Sequence, residues 1–264
     1  MQITVLADQP APAPLTGEFG LSLLLRQNGR MWLFDTGAGA ALPDNLKWLG
    51  IDPAEITQVI LSHGHYDHTG GLACLTPQRI WCGENIPAPQ YSLHHDGSVH
   101  DISMPAAARK VFLRTPVQIM PAGGELAPGL FVSGRIPRIS GEDCGGDFYG
   151  DPACSVPDTV AGEIALLTGD GVLITGCCHA GLINTWQRFR DCCPAIKIHT
   201  VVGGLHLRHA DDHRLEQTAA FIRQSGISRL MLFHCTGDAA IRYLTGSLPG
   251  CRVSTPRVGE TFTV

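Results

Sequence analysis

Short apolar runs separated by Gly and Pro recur along the whole of this 264-residue chain. Aliphatic and β-branched residues cluster at Ile3–Leu6, Gly20–Leu25, Met31–Phe34, Gln58–Leu61, Val117–Met120 and Gly129–Val132. A second series follows at Glu163–Leu167, Val172–Thr175, Ile198–Val202, Arg229–Phe233 and Thr261–Val264. Runs this short, bounded by turn formers, predict strands. Helical periodicity appears between and after them: in Ala41–Leu49 stopped by Gly50, in Leu182–Phe189, in Leu215–Arg223 stopped by Gly226, and in Ala239–Leu244. Strands dominate each half. The order suits an α+β fold of two β-sheets packed together with helices outside, more than a regular βαβ alternation.

One region breaks the pattern. From Gly83 to Asp158 the chain is rich in Gly, Pro, Asp and Ser, with "SGEDCGGDFYGDPACSVPD" its extreme. Loops of that length are uncommon unless they serve as lids or binding segments. The expectation is therefore a single domain over residues 1–264 carrying a loop-rich insertion around 83–158 that faces substrate or partner.

Composition narrows the class. With 44% hydrophobic and 16% charged residues the chain can bury a sizeable core, which sets disorder aside. A net charge of -5 with no block of Lys or Arg argues against a nucleic-acid surface. The start, MQITVLADQP, meets Asp8 and prolines before any long apolar run, and no later run approaches the ~20 residues that span a bilayer. The expected location is cytoplasmic, with no membrane partner, and the oligomeric state is left open. The ten cysteines include the vicinal pairs Cys177-Cys178 and Cys192-Cys193 but no C-x-x-C, so reduced thiols are expected and a zinc ribbon is not.

The chemistry concentrates in "VILSHGHYDHTGGL", Val59 to Leu72. A strand ending at Leu61 delivers His63, His65, Asp67 and His68 into a turn. No helix face collects all four, whereas an extended stretch that curls at its end can. Imidazole and carboxylate together suit Zn, Fe or Mn, and a metal compensates for so many polar groups at the end of a buried strand. Histidines recur at other strand ends: His179 in "GVLITGCCHAG", His206 in "HTVVGGLHL" and His234 in "RLMLFHCTG". His94, His95, His100, His209 and His213 have no preceding apolar run and read as surface imidazoles. His199 falls inside a predicted strand and reads as core or as support for a ligand. "FDTGAGAAL" is a poor dinucleotide loop, because Leu42 stands where Gly or Ala is needed. Neither a G-x-S-x-G elbow nor a P-loop occurs.

H-x-H-x-D-H followed by Thr-Gly-Gly after a strand resembles the signature of the metallo-β-lactamase superfamily. "GCCHAG", "GGLHL" and "HCTG", in that order, resemble the branch that includes 7,8-dihydropterin-6-methyl-4-(β-D-ribofuranosyl)aminobenzene-5'-phosphate synthase. The resemblance runs from "EFGLSLLL" and "LFDTG" to "HCTG". It implies a four-layer αβ/βα sandwich of two mixed sheets with outer helices and a site for two divalent ions, zinc first, with Fe or Mn as alternatives. It implies that His63, His65 and His179 hold one ion and that Asp67, His68 and His234 hold the second. Asp35, in "LFDTG", would orient a ligand histidine, and His206 would lie beside the metals as a substrate contact or extra ligand. Asp67 would also steer the proton.

The implied activity is hydrolysis by a metal-bound hydroxide of an ester, lactone or phosphoester-type bond in a small molecule. The alternatives are the branch's synthase chemistry, of lyase or transferase type, and a non-catalytic metal-dependent binding protein. The partner implied is a small molecule, with an anionic or phosphate-bearing one among the candidates and Arg208, Arg135, Arg138 or Lys110 as its phosphate contacts. The sequence departs from the superfamily at one point. Many members bridge their metals with an aspartate after a strand, whereas Asp170 here sits in an Asp-Gly turn signal and the next strand leads into Cys177 and Cys178. Either thiol could ligate a metal or simply fill the core.

Overall fold

Leu23, Leu24 and Leu25 are consecutive and all fully buried, so the strand that carries them, Ser22–Gln27, is covered on both faces. In the computed structural model, which describes every residue except Asp143 and Cys144 of the Gly-rich stretch, this strand belongs to the first of two compact units. That unit comprises Met1–Met120, Asp147–Asp158 and Arg257–Val264. Its seven-stranded sheet has the order Thr261–Thr263, Gln2–Ala7, Ser22–Gln27, Arg30–Phe34, Gln58–Leu61, Arg79–Cys82, Val117–Ile119. Pairing is antiparallel as far as Arg30–Phe34 and parallel beyond it. Helix Ala41–Trp48 puts Leu42 and Leu46 on one face, where they join Leu24, Leu33, Val59 and Ile80 in a core cluster. Gly50, at φ +66°, takes the left-handed conformation that ends the helix.

The second unit comprises Pro121–Gly146 and Thr159–Pro256. Its seven-stranded sheet has the order Arg252–Ser254, Arg229–Leu232, Thr200–Gly203, Val172–Thr175, Leu166–Thr168, Leu130–Val132, Gly124–Ala127. The first four strands are mutually parallel and are linked by helices Leu182–Cys192, Asp212–Ser225 and Asp238–Ser247, so from residue 172 onward the βαβ alternation is regular. Helix Asp212–Ser225 starts where the Asp211 carboxylate accepts the Arg214 N–H at 2.8 Å and ends at left-handed Gly226. Phe189, Leu215, Ala219 and Ile222 from these helices pack with Leu173, Val201 and Leu230 of the sheet. A side chain buried as completely as Phe189 contributes about 1.5–3 kcal/mol by leaving water.

The stretch 83–158 is more ordered than its composition predicts. It contains helix Ala106–Arg114 and a small three-stranded sheet in which Tyr91–Leu93 lies between Val99–Asp101 and Asp147–Tyr149 and pairs with both. Strands of three residues are too short to display an alternation, and the partner of Tyr91–Leu93 lies more than fifty residues away. Among the described residues no helix is long and apolar enough to cross a membrane. Within each unit the parallel strands point their carboxyl ends one way, and loops at such ends are where open α/β sheets place their ligands.

Candidate metal centre

In the first unit, parallel neighbours Arg30–Phe34 and Gln58–Leu61 deliver Asp35 and Ser62 side by side. Asp35 is fully buried and accepts the Ser62 N–H (2.6 Å) and the Ser62 hydroxyl (2.6 Å), and His68 Nδ1 lies 2.7 Å from its Oδ2. An ionised carboxylate only accepts, so the His68 proton sits on Nδ1 and the lone pair on Nε2. That Nε2 faces Asp67 Oδ2 at 3.6 Å. Ser62 spends its proton on Asp35, so its oxygen accepts from His63 Nδ1 at 2.9 Å, which leaves the His63 lone pair on Nε2. His63 Nε2 in turn stands 3.0 Å from His65 Nδ1. Two nitrogen ligands of one tetrahedral zinc ion stand ~3.3 Å apart, close to that spacing.

Backbone contacts hold this loop. The carbonyl of His68 accepts from the Thr36 N–H and hydroxyl, that of His65 from the Thr69 hydroxyl, and that of Asp67 from the Leu21 N–H. Gly64 is required for a reason the sequence did not disclose: a Cβ there would collide with the Ile86 carbonyl and the Gln90 side chain. Phe148, from the small sheet, lies over the His65 ring with centroids 5.1 Å apart. The Gly- and Pro-rich stretch therefore does reach the His63–His68 loop within this unit. Phe148→Ala is expected to raise KM several-fold while kcat and metal content change little, as steady-state kinetics with elemental analysis would register; an unchanged KM would remove Phe148 from substrate contact.

In the second unit, three adjacent parallel strands end in the remaining donors. Val172–Thr175 leads to Cys177 and His179, Thr200–Gly203 to His206, and Arg229–Leu232 to His234. Buried Glu163 accepts the N–H groups of His179 and Ala180, both at 2.7 Å. Burial raises the pKa of its carboxyl against the opposing pull of those two amides. Arg138 donates to the His179 carbonyl at 2.6 Å and Asn184 to the Ala180 carbonyl at 2.7 Å. The His179 and His206 rings are 4.3 Å apart. The donor atoms of Cys177, His179 and His206 all lie within 4.8 Å of one another, and so do those of Cys177, His234 and Cys235.

Of the eight non-glycine residues with positive φ among the described residues, four lie at these places. Asp35, Cys178, His206 and His234 hold φ values of 58°, 64°, 49° and 57°, which non-glycine residues rarely adopt. Such backbones cluster where function over-determines geometry.

Each predicted donor is thus placed. His63, His65, Asp67 and His68 share one loop of the first unit, and His179, His206 and His234 share one sheet edge of the second. Asp35 orients His68 as expected and, through Ser62, His63 as well. His94, His95, His100, His209 and His213 are exposed. His199 is a correction: it is exposed, not core, because the strand starts only at Thr200, and its Nε2 meets the Asp170 carbonyl at 2.6 Å at the far end of the sheet. Asp170 is exposed in the turn between Leu166–Thr168 and Val172–Thr175, so it supplies no bridge. Arg138 is tied to the carbonyls of His179 and Thr159, which leaves it a structural role, while Arg135 and Lys110 are exposed. Arg208, also exposed, donates to the His234 carbonyl at 3.3 Å. Glu163 escaped sequence reading because the amides it binds lie sixteen and seventeen residues away. The one available sign was an acid heading the apolar run Ile164–Leu167.

The two vicinal thiols separate cleanly. Cys178 packs in the core with Leu173 and Leu182, and burial, reinforced by the charge of Glu163, pushes its thiol well above the ordinary range. Burial also pushes Cys82 up to about 12. The thiolate is the reactive form, so a higher pKa means slower alkylation at a given pH. Iodoacetamide at pH 8 is expected to modify exposed Cys192 and to spare Cys82 and Cys178 in the native protein. Peptide mapping that finds an adduct on Cys178 before Cys192 would contradict this.

A model of the metallo-beta-lactamase superfamily matches residues 15–232. The chain is 29% identical over 254 residues to the 7,8-dihydropterin-6-methyl-4-(beta-D-ribofuranosyl)-aminobenzene-5'-phosphate synthase of Methanocaldococcus jannaschii, covering 86% of this chain and 84% of that protein. Among solved structures, Tm1679, a metal-dependent hydrolase of the beta-lactamase superfamily, superposes with a TM-score of 0.86 at 27% identity, covering 100% of this chain and 99% of that one. A diphosphatase from the PhnP family shares the fold, with a TM-score of 0.55 at 12% identity over 99% of this chain and 96% of the other.

Proposed function

The chain belongs to the metallo-β-lactamase superfamily, and from that premise we propose that it is a metal-dependent hydrolase acting on an ester, lactone or phosphoester-type bond of a small molecule. In this reading His63, His65 and His179 hold one divalent ion and Asp67, His68 and His234 a second. A set of imidazoles with a carboxylate fits zinc, with iron or manganese as alternatives. Such ions, when bound, supply Lewis acidity to a water molecule and to the substrate's carbonyl or phosphoryl oxygen.

The observation that carries the reading is the buried relay from Asp35. One carboxylate sets the tautomer of His68 directly and of His63 through Ser62, so that both present an Nε2 lone pair. Ligand histidines need such a partner on the other ring nitrogen, while surface histidines do not. Asp67, beside His68 Nε2, is positioned to hold and steer the proton released from the attacking water. His206, half-buried against the His179 ring, is assigned to contact substrate. Phe148 supplies an apolar wall over His65.

A second reading, synthase chemistry on a phosphate-bearing substrate, is supported by the name of the Methanocaldococcus relative. Arg208 would then offer the cation. The test is elemental analysis of protein purified without added metal or chelator, with turnover of phosphodiester, phosphomonoester and lactone substrates before and after reconstitution. About two equivalents of metal with metal-dependent hydrolysis is the expected result. Two equivalents with no hydrolysis would favour the synthase or a binding protein, and no retained metal would overturn the reading.

A further inference from the structure

We propose that Cys177 is a metal ligand and that its thiolate bridges the two ions, standing in for the aspartate that many superfamily members place there. The proposal rests on the two-ion reading above.

The chain has a carboxylate beside the strand Val172–Thr175 but not at the end where the donors lie. Asp170 precedes the strand Val172–Thr175 and is exposed in a turn, at the end of the sheet away from the donors. The residues that follow the strand's carboxyl end are Gly176 and Cys177, and Cys177 is buried there.

Its position is that of a bridge. Two triads of mutually close donors lie wholly within the second unit: Cys177, His179 and His206, and Cys177, His234 and Cys235. His179 and His234 are assigned to different ions, and the sulfur common to both triads is that of Cys177. Cys235 belongs to only one triad, and its thiol donates to the Cys177 carbonyl at 3.6 Å. Cys178 lies in the core cluster. A thiolate carries the same single negative charge as a carboxylate and has lone pairs for two ions, so the substitution conserves charge and ligand count. It alters softness: a sulfur ligand favours zinc or iron over manganese.

The test is cobalt(II) substitution of the whole protein, read by absorption spectroscopy. The expected result is an intense near-ultraviolet sulfur-to-cobalt band alongside the visible cobalt bands. Cys177→Ser should lose the near-ultraviolet band, whereas Cys178→Ser and Cys235→Ser should keep it. Cys177→Asp should bind two equivalents of cobalt without that band. X-ray absorption at the zinc edge of the unmutated protein gives an independent reading that needs no variant to fold, with a sulfur neighbour expected at ~2.3 Å. Cobalt binding with no sulfur band and no sulfur neighbour overturns the bridge and leaves the two-ion reading standing. A band that survives Cys177→Ser but vanishes in Cys235→Ser moves the ligand to Cys235 and overturns the proposal. Failure to bind cobalt or zinc at all overturns both.

Discussion

His65→Ala and Asp67→Ala are each expected to lower turnover at least on the order of 10²-fold, about 3 kcal/mol of transition-state stabilisation, and to lose metal in the same measurement. Both side chains are almost wholly buried, 5% and 6% exposed, and in the proposed assignment each is a ligand to a different ion. Truncation leaves the backbone bonds of the loop in place, because those run through the carbonyls of His65, Asp67 and His68. The variants should therefore fold, with circular dichroism close to that of the parent. Elemental analysis and kinetics on the same preparations decide the matter: full turnover in a metal-free Asp67→Ala protein would falsify the ligand assignment. The two variants should also differ. Loss of Asp67 removes a proton-handling carboxylate as well as a ligand, so added metal should rescue His65→Ala more than Asp67→Ala.

Asp35→Ala is expected to destabilise the protein by about 3 kcal/mol and to weaken metal binding ~10–100-fold. The stability loss follows from what the carboxylate satisfies. Without it the Ser62 N–H and the His68 Nδ1–H are left buried without their acceptor, and each such group costs about 1–3 kcal/mol. The loss in metal binding follows from the tautomers. Freed from Asp35, Ser62 can turn its proton toward His63 Nδ1, and His68 can carry its proton on Nε2, the nitrogen needed for an ion. Asp35→Asn separates the two effects. Asparagine tolerates φ +58° better than alanine and keeps one acceptor for Ser62, but it presents an amide N–H₂ where His68 needs an oxygen. The expected order of stability is Asp35, then Asn, then Ala, with both variants weak in metal binding. Urea melts and zinc titration would show it; an alanine variant that binds zinc as tightly as the parent would dismiss the relay.

The contrast between these residues and Glu163 shows what could be read in advance. His63, His65, Asp67 and His68 occupy six consecutive positions after an apolar run, so their chemistry is legible locally. His179, His206 and His234 could be found only because each ends a strand, and strand ends are visible as a change from aliphatic to polar residues. Strand bounds are legible to the residue at the apolar runs Gln58–Leu61 and Val172–Thr175. The apolar run Ile198–Val202 begins two residues before the strand does, which is why the pattern places His199 inside. Glu163, Ser62 and the Asp35 relay depend on pairing between strands, which fixes side-chain partners that no local pattern encodes. Which of Cys177 and Cys178 faces the donors was hidden likewise, since it turns on the left-handed backbone at Cys178.

The two groups of donors also differ in when, during the life of the chain, they can exist. His63 to His68 lie within one short peptide, so a newly made or unfolded chain already carries a weak chelator. Cys177, His206 and His234 span 58 positions and meet only when Val172–Thr175, Thr200–Gly203 and Arg229–Leu232 have paired in register. Zinc in large excess would bind the unfolded chain through the first group and erode the advantage of the native state. Zinc at trace levels would be held only after the parallel sheet is complete. Retained metal would then report a finished second unit, and the yield of active protein from refolding should pass through a maximum as zinc is raised.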